Sequence, residues 1–119
     1  MKNRSFVERL GFALEGLKEV WLRERSFRTQ VWIAVLAAVV TVPLRPGWAW
    51  AALIALSIGL VLACELINSA LEYLMDHVHP DIADAIKRAK DAAAAAVLIA
   101  SLSALVVGIM MVLANLRAI

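Results

Sequence analysis

From Ala92 to Asn115 the chain reads AAAAAVLIASLSALVVGIMMVLAN, 24 residues without one charged side chain. About 20 apolar residues of α-helix cross a bilayer, and in hydrocarbon each backbone N–H and C=O must be satisfied inside the segment, so this run is predicted to be a spanning helix. The rest of the chain agrees: 63% of its 119 residues are hydrophobic and 18% are charged. The mean hydropathy is +0.81. A water-soluble domain of this size rarely has such a balance, so the expected class is all-α and integral to the membrane. Nucleic acid is not an expected partner.

The whole of 1–119 reads as a single domain. Residues 5–27 are predicted to form an amphipathic helix in the membrane interface, because Phe6, Leu10, Leu14, Leu17 and Trp21 recur at helical spacing among charged residues. Membrane helices are expected over 29–44, 48–75 and 91–115, the first of them short for a bilayer. Pro43, Pro46 and Gly47 are expected to make a tight turn between the first two. The opening MKNRSFVERLGF lacks the apolar core and small-residue cleavage site of a secretory signal, so it is expected to stay on the chain. Cys64 is the one cysteine and excludes an internal disulfide. Lys2, Arg4, Arg9, Lys18, Arg23, Arg25 and Arg28, with Lys87, Arg88 and Lys90 in the second connection, outweigh Arg45 and Arg117 on the other side. Both of the richer segments are therefore expected to be cytoplasmic.

Within the second apolar run lies ACELINSALEYLMDH. Counted from Glu65, the residues Asn68, Ser69, Glu72 and Asp76 follow at three, four, seven and eleven positions, which places all five on one helix face. A carboxylate in hydrocarbon costs several kcal/mol unless it is paired, neutralised or bound, so Glu65 and Asn68 are read as functional rather than as cement between helices. Glu65 lies about 25 Å along the helix from Trp48, and Glu72 about 10 Å further, so the stripe begins in lipid and ends in water. Such a placement suits a site that brings a soluble ligand to a lipid headgroup. Lys90 and Asp91 open the third span at the same level, and Glu24 ends the interfacial helix there. Mg²⁺ takes one or two protein carboxylates together with substrate phosphates, and Lys90 would neutralise phosphate charge. No GxxxxGK[ST] loop is present, so a nucleotide would be held by this helical set. His77 and His79 are read as loop residues rather than as a zinc pair, for want of further ligands.

The run Glu65-Leu-Ile-Asn68-Ser-Ala-Leu-Glu72, followed by Asp76, by Ala89-Lys90-Asp91 and by Ala-Val-Leu-Ile, resembles the signature of the prokaryotic diacylglycerol kinase family, which includes the undecaprenol kinases. FALEGL, Glu24-Arg25 and Phe27-Arg28 extend the resemblance over nearly the whole chain. It implies a homotrimer of three-span subunits in the bacterial cytoplasmic (inner) membrane, with shared active sites, that uses Mg²⁺ and ATP to phosphorylate a lipid alcohol. Carried over by motif, Glu65 corresponds to the general base, Glu24 and Glu72 to the metal-binding glutamates, and Asn68, Lys90 and Asp91 to polar groups on the nucleotide side. The chain departs from the family in Ala92 to Ala96, where glycine is often found. The family's N-terminal arginine falls on either Arg4 or Arg9. ERSFR, and His79-Pro80 leading into AKDAA, look more like the undecaprenol kinases than the proteobacterial diacylglycerol kinases. A small proton-coupled exporter is the alternative from another class, since exporters also use a membrane glutamate.

Overall fold

The computed structural model describes residues 3–78 and 84–118. They form α1 (Phe6–Arg23), α2 (Arg25–Leu44), α3 (Trp48–Val78), α4 (Asp84–Ala114) and a short 3₁₀ turn at Leu116–Ala118, with no strand among the described residues. His77, expected in a loop, falls in the last turn of α3, while His79 and Pro80 lie outside the described residues.

Helix α1 begins where Ser5 accepts a hydrogen bond from the Glu8 backbone N–H at 3.2 Å and donates its own hydroxyl to the Glu8 carboxylate at 3.1 Å. This Ser-x-x-Glu pairing satisfies one of the donors that a helix start leaves orphaned. The expected continuous helix over 5–27 is instead broken at Glu24, whose backbone is extended (φ −113°, ψ 108°) and which serves as C-cap of α1 and N-cap of α2. Arg28 reaches back and donates to the Trp21 and Leu22 carbonyls, covering acceptors that the end of α1 leaves open. The break gives RSFR to the next helix. As a result α2 has 20 residues, enough to cross a bilayer, where 29–44 alone was short.

Helix α2 carries Pro43 in its last turn and stops at Arg45, which takes the left-handed conformation (φ 47°). Gly47, at φ +91°, then turns the chain into α3. No atom lies within 4 Å of where a Cβ at Gly47 would sit, so the demand there is purely conformational. Gly47→Ala is therefore expected to cost about 1 kcal/mol. Gly16→Ala, inside α1 and equally unobstructed, should be neutral or stabilising by up to about 1 kcal/mol. Melting temperatures of the two variants in detergent check this: a Gly47→Ala protein as stable as Gly16→Ala would contradict it.

Helices α3 and α4 have 31 residues each, about 46 Å of helix against a hydrocarbon core of about 30 Å. They pair along their lengths, with α2 against α3. Helix α4 starts at Asp84, two turns before the expected Asp91. Hydropathy does not register those turns because they are polar, and the i,i+4 pair Lys87–Asp91 at 2.6 Å belongs to them. The C-terminal part of α3 and the start of α4 thus form a helical hairpin that is apolar in its middle and charged at one end.

One core cluster, Leu44, Ile54 and Met111 with Trp50, Ile58, Val107 and Val112 around it, closes the end remote from the charges. Ile54, Val61, Glu65, Ser69 and Met75 are all buried and share one face of α3. The other apolar faces stay open: no more than 17% of the apolar window of any spanning helix is buried within the subunit. Lipid, or further copies of the chain, must cover them in the membrane.

Candidate active site

Three of these elements bring the sequence-selected residues together in different degrees. Glu65 is 4% exposed and Ser69, one turn on, is 2% exposed. The Glu65 Oε2 accepts a hydrogen bond from the Ser26 hydroxyl on the first turn of α2, at 3.3 Å. No other hydrogen bond from the described residues reaches Glu65. One turn toward water, half-buried Asn68 donates its Nδ2 to Glu72 Oε1 at 3.4 Å. The Asn68 Oδ1 is shut away from solvent and accepts nothing from the described residues. A buried amide oxygen with no donor carries an energetic penalty that a ligand donor would remove.

At the end of the stripe, Lys90 Nζ meets Asp76 Oδ1 at 2.5 Å and ties α4 to α3. Asp91 turns along its own helix to Lys87, both side chains being well exposed. Lys90 is the better sheltered cation, with 28% of its side chain exposed. Glu24 sits half-buried at the α1–α2 break and its side chain makes no capping bond. Helix α1 touches α3, and the Tyr73 phenol lies beside Glu24, so that Glu24 stands near the level of Glu72.

Among the described residues, ion pairs engage Glu8, Glu19, Asp76 and Asp91 but none of Glu24, Glu65 and Glu72. Of the carboxylates selected from the sequence, Glu24, Glu65 and Glu72 are left without a cation among the described residues, whereas Asp76 and Asp91 are paired with lysines. No group of three or more His, Cys, Asp or Glu side chains among the described residues could hold a metal ion by itself. Glu24 and Glu72, both outside any ion pair among the described residues, are of the ligand type that Mg²⁺ takes, one or two protein carboxylates with phosphate and water completing its shell. Such a metal would be held jointly by the chain and its nucleotide.

Sequence reasoning missed two polar links. Ser26 was read only as part of ERSFR, and the Gln30 Nε2 to Ser101 Oγ bond at 3.2 Å joins residues 71 apart in the chain. A signal for both was present, because Ser26 and Gln30 are one helical turn apart and place polar groups on the same face of α2. Above them an apolar groove of about 660 Å³ runs between α2, α3 and α4, with Gln30, Ser57 and Ser101 among its few polar lining residues.

A spanning bundle with an inward carboxylate and a polar stripe at one end has the form suited to a small membrane enzyme working where lipid meets water. Residues 11–112 match the family model described as prokaryotic diacylglycerol kinase. The diacylglycerol kinase of Escherichia coli (strain K12) is 32% identical over 100 residues, covering 84% of this chain and 82% of that protein. That of Haemophilus influenzae is 34% identical over 89 residues, 75% of each chain. The diacylglycerol kinase of Helicobacter pylori (strain 26695) is 34% identical over 90 residues, 76% of this chain and 70% of its own. The chain belongs to the prokaryotic diacylglycerol kinase family: it is a bacterial membrane lipid kinase that uses ATP.

Proposed function

We propose that the chain transfers the γ-phosphoryl group of ATP to the hydroxyl of diacylglycerol, with Glu65 as general base. The observation that carries this reading is a buried carboxylate without a cation, from which a polar stripe leads out to water. A lipid hydroxyl reaching Glu65 from the bilayer gives up its proton to the carboxylate as its oxygen bonds to the γ-phosphorus. The bond from that phosphorus to the β–γ bridging oxygen breaks, and ADP leaves. Asn68 supplies an unused acceptor and Lys90 a cation on the nucleotide side, while Glu24 and Glu72 would hold Mg²⁺, which when bound would supply Lewis-acid neutralisation of the phosphate oxygens. Most of the rate enhancement comes from positioning and electrostatics, as in other phosphoryl transfers. The N-terminus and the α3–α4 connection are cytoplasmic, consistent with their Lys and Arg content and with the source of ATP. A homotrimer with sites shared between subunits accounts for the apolar helix faces left open in one subunit.

Diacylglycerol is favoured as acceptor because the relatives are diacylglycerol kinases; ERSFR favours undecaprenol, the second reading. Thin-layer separation of lipids labelled from γ-phosphate ATP by the purified protein, offered each alcohol in turn, decides between them. Label in neither lipid would overturn the kinase assignment itself. The exporter reading draws no support from the relatives or from the fold.

The metal roles have their own test. Glu24→Gln and Glu72→Gln are each expected to weaken metal binding, so that activity at low Mg²⁺ falls and is partly restored as Mg²⁺ is raised at saturating ATP. Curves superimposable on the wild type would show that neither residue binds the metal.

A further inference from the structure

The geometry points to Ser26 as a positioning residue for Glu65, its hydroxyl fixing one carboxylate oxygen so that the other is free to take the substrate proton. This rests on the reading of Glu65 as base. An ionised carboxylate only accepts hydrogen bonds, so in the 3.3 Å contact the serine hydroxyl is the donor and Oε2 the acceptor. Glu65 has two rotatable bonds beyond Cβ, and no ion pair among the described residues restrains it. Among the described residues the one hydrogen bond that orients this packed carboxylate comes from α2, a separate helix 39 residues earlier in the chain. Catalysis by a base depends on the proton acceptor lying within hydrogen-bond reach in the right direction, and a loosely held carboxylate loses that.

Three features make Ser26 suited to the task. It is the second residue of α2, where Glu24, as N-cap, makes no side-chain cap bond and the hydroxyl of Ser26 is turned across to α3. The start of α2 is the positive end of its helix dipole, favourable to an anionic neighbour. Gln30, the next polar residue on the same face, directs its amide nitrogen to Ser101 and makes no hydrogen bond to Glu65.

The test is kinetic, on purified full-length protein in lipid vesicles, with Glu65→Gln assayed in parallel. Ser26→Ala is expected to lower kcat about tenfold, the scale of one hydrogen bond to a charged group, with KM for Mg-ATP and for the lipid unchanged. Ser26→Thr keeps the hydroxyl and should recover most of the loss. Combined with Glu65→Gln, Ser26→Ala should cost nothing further, because two residues acting as one unit are not additive. A wild-type kcat in Ser26→Ala, a failure of Ser26→Thr to recover activity, or a further tenfold fall in the double variant each overturns the positioning role while leaving Glu65 as base. Near-normal activity of Glu65→Gln overturns the base reading, and the role of Ser26 with it.

Discussion

Glu65→Gln is expected to lower turnover by about 100-fold or more while the protein stays folded. The amide keeps the size of the side chain and can still accept from the Ser26 hydroxyl, so packing at this buried position changes little. What is lost is the capacity to hold a proton. The same substitution removes a charge from a site only 4% exposed, which relieves a desolvation penalty. Stability should therefore hold or rise as activity falls, the pattern of a residue kept for chemistry at the expense of stability. The measurements are a melting curve and a lipid phosphorylation rate on the same preparation. A folded Glu65→Gln protein with near-normal turnover would remove Glu65 from the mechanism. A protein that is both inactive and markedly less stable would mark Glu65 as part of the framework.

How much of this was legible in the sequence follows from the range of the interactions involved. Apolar helices announce themselves through hydropathy, and the one-sided placement of Glu65, Asn68 and Glu72 follows from 3.6-residue periodicity alone. Both are local properties. The break at Glu24 turns on the backbone angles of a single residue, which leave no trace in composition. The first two turns of α4 were invisible for the opposite reason, since a hydropathy window discards polar helix. Cross-helix contacts depend on how the helices pack. Lys90 with Asp76 is fixed by the α3–α4 hairpin, and Ser26 with Glu65 by α2 against α3. The site is therefore legible as a set of residues on one helix and not as a network. Asp91 shows the difference: its neighbour in sequence, Lys90, faces α3, while Asp91 turns along α4 to Lys87.

That contrast sets the second large expected effect, in which Mg-ATP stabilises the protein against heat through Lys90. A ligand that binds only the native state adds RT ln(1 + [L]/Kd), about 2.7 kcal/mol at a hundredfold excess over Kd, enough to move a melting curve visibly. Lys90 pairs with Asp76, a carboxylate with 62% of its side chain exposed. A pair that open to water contributes little, on the order of 0–1 kcal/mol, so Lys90→Ala should barely move the melting temperature without ligand. A triphosphate competes well for the same ammonium, because several charged oxygens replace one carboxylate. Lys90→Ala is accordingly expected to abolish most of the Mg-ATP shift. Lys87→Ala, which breaks only the exposed pair with Asp91, should retain most of it. An exporter using Glu65 would instead respond to lipophilic cations and to pH and be indifferent to Mg-ATP. Absence of a nucleotide-dependent shift at millimolar Mg-ATP, alongside a cation-dependent one, would reverse the assignment. An equal shift in Lys90→Ala and wild type would leave the kinase standing and move the phosphate-binding cation elsewhere.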